Sequence, residues 1–146
     1  MLTPQLEQTL QRSLEHANWR HHEYATLEHL LLALLADPDA ASALKTCDAD
    51  LDKLQQGLLD YLNTKLTHIV SRDSASTARP TAGFQRTLQR AAIHVQSSGG
   101  TTVNGANLLI ALLSERESHA AYFLTEQDVT RARLINALPG AAQRDD

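Results

Sequence analysis

The chain has 146 residues, a formal net charge of −4 and a single cysteine, with 42% hydrophobic, 21% charged and only 4% aromatic residues. This length suits one domain that buries roughly 70% of its unfolded surface, and the few aromatic residues predict a core built from leucine and alanine. The charge argues against nucleic acid as a partner, no apolar run can span a membrane, and the absence of an export signal together with the lone thiol of Cys47 predicts a cytoplasmic protein.

The first half of the chain predicts four helices. Thr3 and Pro4 start a helix that runs to about Asn18, because Thr is a good N-cap and Pro fits the first turn. The stretch 26–36, TLEHLLLALLA, predicts a short buried helix, and a brief helix follows at 40–45. Asp50 caps a fourth helix whose buried stripe is the leucine series Leu51, Leu54, Leu58, Leu59 and Leu62.

The second half repeats the first at an offset of 78 positions. NGANLLIALLS at 104–114 matches the stretch 26–36, and Thr81, Leu88, Arg90 and His94 match Thr3, Leu10, Arg12 and His16. A constant offset predicts a duplicated unit without net insertion, ending in a helix from Asp128 to about Leu138. The prediction is an all-α fold of two tandem four-helix repeats related by a pseudo-twofold axis: repeat one at 1–66, a flexible connector at 67–80, repeat two at 81–140 and a tail at 141–146.

Motifs for catalysis are missing from the sequence. The glycines at 97–105 lack the Lys-Ser or Lys-Thr pair of a phosphate loop, and neither a GxSxG elbow nor an HExxH pair occurs. A histidine and carboxylate cluster, formed by His16, His21, His22, Glu23, Glu28 and His29, offers zinc-type ligands. Its spacing matches no structural zinc pattern, so zinc stays a minor possibility with His21 and His22 as the candidate ligands, and no cofactor is predicted.

Two polar groups are the best candidates for a binding site. Glu23, Tyr24, Thr26 and Glu28 lie just before and within the first buried helix, where a carboxylate also favours the helix dipole. Their counterparts in the second repeat are uncharged, so folding alone does not demand the carboxylates and a contact with a partner is favoured. The start of the second repeat adds a polar and basic face with Thr81, Phe84, Gln85, Arg86 and Arg90, although Phe84 also fits the core.

Three phrases of the sequence, TLEHLLLALL, FQRTLQRAAIHVQSSG and NGANLLIALLSERESHAAYFL, resemble the N-terminal domain of ClpA, the AAA+ unfoldase that feeds the ClpP protease. The resemblance covers nearly the whole chain and is closer to ClpA than to ClpB or ClpC. It implies a single Clp N-domain that binds the adaptor ClpS, which delivers substrates with destabilising N-terminal residues. The implied adaptor-facing residues are Glu23, Glu28, Thr81 and Arg86, with Tyr24, Thr26, Phe84 and Gln85 beside them.

The same resemblance implies a non-enzymatic domain whose parent chain is an AAA+ ATPase, assembled as a hexamer that works with ClpP. No Walker A motif is present in this sequence. One alternative is a ClpB-like or ClpC-like domain that binds unfolded or modified polypeptides directly, in a groove between the repeats. Another is a metal-dependent hydrolase built on the histidine cluster, which the spacing does not favour.

Overall fold

The computed structural model describes residues 1–66, 69–70 and 77–138. Within these residues the chain forms eight helices, and the predicted all-α double repeat is confirmed. The helices are α1 (Pro4–Trp19), α2 (Leu27–Leu34), α3 (Pro38–Thr46), α4 (Leu51–Thr64), α5 (Ala82–Ser97), α6 (Gly105–Leu112), α7 (His119–Glu126) and α8 (Arg131–Asn136). Much of the predicted connector, the predicted end of repeat two at 139–140 and the predicted tail lie outside the described residues.

Equivalent N-cap residues start the first two helices of each repeat. The side chains of Thr3 and Thr81 cap α1 and α5, each accepting a hydrogen bond from the amide three residues later. Thr26 and Asn104 form capping boxes at α2 and α6, with His29 and Asn107 as the reciprocal partners. These four caps keep the 78-residue offset, so local sequence signals suffice to start the first two helices of each repeat.

The offset changes between Glu115 and α7, and the prediction of no net insertion is wrong from there on. Asp48 and Asp128 both have a left-handed backbone, with φ of 58° and 59°, and both follow the third helix of their repeat. They are 80 positions apart, as are the N-caps Asp50 of α4 and Thr130 of α8. A net insertion of two residues therefore lies between α6 and Asp128, and α8 begins later than the predicted start at Asp128.

The core is centred on α2 and α6, which contact each other. Six leucines of these two helices are completely buried: Leu30, Leu31, Leu34, Leu108, Leu109 and Leu112. Complete burial of a leucine side chain contributes about 1.5–3 kcal/mol relative to an exposed one, so this central pair supplies much of the driving force for folding. No helix in the described part of the chain is long and apolar enough to cross a bilayer.

Each repeat contributes an extended segment to the other repeat. β1 (Tyr24–Ala25) pairs in parallel with β2 (Arg79–Pro80), which leads into α5. The segment that leads into α1 makes the equivalent bridge, from Leu2 to Val103 before α6. Residues at the end of the predicted flexible connector are therefore anchored, and the side chain of Ala78 is buried in the core.

Candidate functional site

The strand pair brings the two predicted binding groups together. The amide of Arg79 donates to the carbonyl of Glu23 (3.1 Å), and the amide of Thr81 donates to the carbonyl of Ala25 (3.0 Å). The guanidinium of Arg79 also lies over the ring of Tyr24, 5.9 Å from its centroid. The strand pair thus joins segments that are 55 positions apart. We call the surface around it the strand-pair face: Glu23, Tyr24, Arg79, Gln85 and Arg86.

The predicted site residues differ in what they expose. Glu23, Gln85 and Arg86 are exposed and Tyr24 is half-buried, so their side chains are available at the surface. Thr26 and Thr81 are half-buried, and their hydroxyls are engaged as N-caps of α2 and α5. Phe84, with 2% exposure, belongs to the core. Fewer of these residues are therefore available to a partner than the sequence predicted.

Glu28 is a buried residue with a structural role. Its side chain is buried, with 6% exposure, and its Oε2 accepts a hydrogen bond from the amide of Ala120 in the first turn of α7 (2.9 Å). A carboxylate at a helix N-terminus satisfies an amide that has no partner within the helix and interacts favourably with the helix dipole. Glu28 therefore joins α2 of one repeat to α7 of the other, and it does not present its carboxylate at the strand-pair face.

Arg86 is held in place by a carboxylate that the sequence analysis did not identify. Glu115, after the end of α6, accepts hydrogen bonds from Nη2 of Arg86 (2.7 Å) and from Nη1 of Arg90 (3.0 Å). The hydrogen bond from Arg86 and the nearby arginine charges lower the pKa of Glu115. The carboxylate is mostly shielded, while both guanidinium groups stay exposed. Glu115 thus fixes the orientation of two cations beside the strand-pair face.

The internal repeat gives a sequence clue to the importance of Glu115. Asp37 is its counterpart at the 78-residue offset, since each acid follows the leucine-rich helix of its repeat. Asp37 is fully buried, caps α3 through Oδ1 and accepts the hydroxyl of Thr9 through Oδ2 (2.7 Å). The acidic side chain at this position therefore makes buried hydrogen bonds in repeat one, whereas in repeat two it orients two surface arginines.

Two histidines of the predicted metal cluster, His22 and His29, form a buried hydrogen-bonded pair, and the half-buried His16 lies beside them. Nδ1 of His22 and Nε2 of His29 are 2.8 Å apart, and Nε2 of His16 accepts a hydrogen bond from Nε of Arg20 (2.6 Å). Of the proposed ligands, His21 is exposed, whereas His22 is buried. Among the described residues, no group of three or more His, Cys, Asp or Glu side chains is arranged to hold a metal. The arrangement does not fit a zinc site, and it gives the metal-dependent hydrolase no support.

The hydrogen bonds define the tautomers of His29 and His22. The amide of Thr26 donates to Nδ1 of His29 (2.9 Å), so Nε2 of His29 carries the proton that is donated to Nδ1 of His22. Burial, together with the neighbouring histidines and Arg20, lowers the pKa of His22 to about 4 and the pKa of His29 to about 3. The pair is neutral at physiological pH.

We expect this pair to make the domain sensitive to moderate acid. Below pH 6.5 the histidines of the unfolded chain bind protons, while His22 and His29 stay neutral in the folded chain until about pH 4. Since the unfolded state binds more protons, the free energy of unfolding falls as the pH drops from 6.5 towards 4. Urea midpoints measured across this range should decrease, and His22→Asn should flatten the decrease. The exposed His94→Gln is the control, and an equal flattening by both variants would contradict the assignment.

A family model described as the Clp repeat (R) N-terminal domain matches residues 1–127. The chain belongs to this family. A ClpA homolog protein of Fuscovulum blasticum is 53% identical over 140 residues, which are 96% of this chain and 18% of that protein. This Clp N-domain chain therefore spans about a fifth of the length of that relative.

Solved structures share the fold. The N-terminal domain of the ClpV1 ATPase from E. coli EAEC has a TM-score of 0.77 at 21% identity, over 97% of this chain and 86% of that chain. A ClpV N-domain in complex with a VipB peptide has a TM-score of 0.72 at 22% identity, over 91% of this chain and 81% of that chain.

Proposed function

We propose that this Clp N-domain docks the adaptor ClpS for a ClpA-type unfoldase, and that the strand-pair face forms part of the contact. The high identity to a ClpA homolog supports a ClpA-type parent chain. On this proposal the parent is a hexameric AAA+ ATPase that works with ClpP, and ClpS delivers substrates with destabilising N-terminal residues. The domain contributes recognition, while the ATPase region contributes the mechanical work.

The observation that carries the proposal is the fixed charge pattern at the strand-pair face. Glu23 supplies an exposed carboxylate, and Arg86 supplies a guanidinium whose geometry is set by Glu115. An oriented arginine loses less conformational freedom when it binds a carboxylate, and opposed charges at a rim accelerate association and select the partner. This surface suits a small, charged adaptor better than an unfolded apolar chain.

The test is a titration of labelled ClpS with charge-reversed domains. We expect Glu23→Arg and Arg86→Glu each to weaken adaptor binding about threefold to tenfold at low salt, and less at high salt because exposed charges are screened. Glu115→Gln should weaken binding less, through loss of the orientation of Arg86. Glu7→Arg, on the exposed face of α1, is the control for net charge. Unchanged affinity in both reversals would remove the strand-pair face from the contact.

The alternative of direct polypeptide binding is favoured by one observation. A groove of about 530 Å³ lies between α4 and α7, across the two repeats, and Leu54, Gly57, Tyr122 and Phe123 are among the residues that line it. The side chain of Tyr122 is 55% exposed. The same titration run with an unfolded model protein in place of ClpS separates the two functions, since only direct binding is independent of the adaptor.

A further inference from the structure

A second pocket lies between α5, α6 and α8. It has a volume of about 200 Å³, enough for one or two side chains, and its lining includes Arg90, Ile93, His94, Ile110, Ala111 and Arg131. None of its lining residues is acidic, although the chain as a whole is negatively charged. The pocket therefore combines a local positive charge with an aliphatic wall.

Repeat one has an equivalent pocket. Residues that are common to the two pockets can be explained by the repeated fold itself. That pocket lies between α1 and α2 and is lined by Arg12, His16, Leu32 and Ala33. These residues stand 78 positions before Arg90, His94, Ile110 and Ala111. An arginine, a histidine, a branched aliphatic residue and an alanine are thus common to both pockets, and they do not distinguish repeat two.

Ile93 does distinguish the two pockets. Its counterpart at the 78-residue offset is Glu15, which is exposed and accepts a hydrogen bond from Gln11. Ile93 is 64% exposed. Because the repeat folds with a carboxylate at this position, the fold does not require an isoleucine there. A large aliphatic side chain left in water at the edge of a pocket is suited to contact with an apolar ligand group.

Arg131 is the second feature that folding does not explain. It is the first residue of α8, where a cation interacts unfavourably with the positive end of the helix. Arg133, two residues further along α8, has a clear structural role, since its guanidinium donates to the carbonyls of Asp128 (2.8 Å) and Cys47 (2.9 Å). Among the described residues, Arg131 makes no comparable bond. Ile93 and Arg131, which the fold does not require, line the same pocket.

We propose that this pocket binds an acidic peptide segment that presents one aliphatic side chain. The aliphatic group packs against Ile93, Ile110 and Ala111, and a neighbouring carboxylate pairs with Arg131, while Arg90, which Glu115 holds at 3.0 Å, adds its positive charge nearby. Charge complementarity selects this ligand, because a basic peptide meets two arginines and an uncharged apolar peptide gives Arg131 no partner. The site goes beyond adaptor docking: it binds a polypeptide directly, and its lining contains none of the five residues of the strand-pair face.

The probe is a fluorescein-labelled peptide with a single leucine among glutamates, and the readout is fluorescence anisotropy with the purified domain. We expect saturable binding of this peptide, and binding at least about tenfold weaker for two comparison peptides. In one, lysines replace the glutamates; in the other, serine replaces the leucine. Ile93→Glu, which installs the residue type of repeat one, and Arg131→Glu should each weaken binding about tenfold without lowering the unfolding midpoint.

Lys53→Glu is the matched control, because it makes the same change of net charge as Arg131→Glu but lies at the groove between α4 and α7. A loss with Lys53→Glu equal to that with Arg131→Glu would show non-specific attraction and overturn the proposal. Absence of saturable peptide binding would also overturn it. Ile93→Glu and Arg131→Glu should leave ClpS affinity unchanged, and a parallel loss of both ligands would disprove a separate site. If the wild-type domain binds the peptide but not ClpS, the adaptor proposal fails and this one stands.

Discussion

Replacing Gly105 by alanine should destabilise the domain by about 2–3 kcal/mol, the cost of inserting a methyl group into a closely packed interior. A Cβ atom at this position would lie 2.1 Å from Oδ1 and 2.4 Å from Cγ of Asp37. Asp37 cannot move away easily, because its carboxylate caps α3 and accepts the hydroxyl of Thr9. Equilibrium unfolding in urea measures the loss, which should exceed the modest gain that alanine normally brings to a helix.

A double-mutant cycle tests the cause of this loss. Asp37→Ser keeps a side chain that can cap α3 but removes the carboxylate group that a new methyl group would meet. In that background Gly105→Ala should cost much less, so the two changes should couple by more than about 1 kcal/mol. Equal costs of Gly105→Ala in both backgrounds would show that the contact with Asp37 is not the reason.

Glu28→Arg should destabilise the domain by about 3 kcal/mol or more. The substitution removes the acceptor of the Ala120 amide and places a buried cation at the positive end of α7. Glu28→Gln keeps an acceptor oxygen and loses only the charge, so it should cost about 1 kcal/mol. Urea or thermal unfolding with far-UV circular dichroism ranks the two variants. The same stability after both substitutions would contradict the buried contact.

The comparison of Glu28 with Glu23 is also important for interpreting adaptor assays. Glu23→Arg, on the exposed strand-pair face, should leave the free energy of unfolding within about 0.5 kcal/mol of the wild type. A loss of ClpS binding by Glu23→Arg reports a lost contact, whereas the same loss by Glu28→Arg reports damage to the fold. The sequence-based expectation that Glu28 serves adaptor binding therefore has to be tested at matched stability.

The sequence was informative wherever the signal was local. The caps Thr3 and Asp50 and the two leucine-rich stretches correctly predicted helices of the repeats, because a cap and an apolar run act within a few residues. The burial of Glu28 could not be predicted, since its partner Ala120 is 92 residues away. An acidic residue in the first turn of a helix has the same sequence pattern whether it faces solvent or another helix.

The change of offset before the end of repeat two and the pairing of β1 with β2 could not be predicted, because neither has a local signal in the sequence. The offset changes between α6 and α7, where no glycine or proline marks an insertion, so Asp128 was aligned with Asp50 rather than with Asp48. Arg79 lies in a stretch poor in large apolar residues, which is typical of a linker, but its backbone pairs with Tyr24. Pairing of two-residue strands depends on the tertiary fold and leaves no periodic pattern in the sequence.

The exchange of extended segments between the repeats has a consequence for the cooperativity of unfolding. The segment before α5 pairs with repeat one and the segment before α1 pairs with repeat two, while Glu28 of repeat one satisfies an amide of α7. Neither half carries a complete set of its own partners, so the two halves should melt in one all-or-none transition. The slowest-exchanging amides of both halves should accordingly report the same opening free energy.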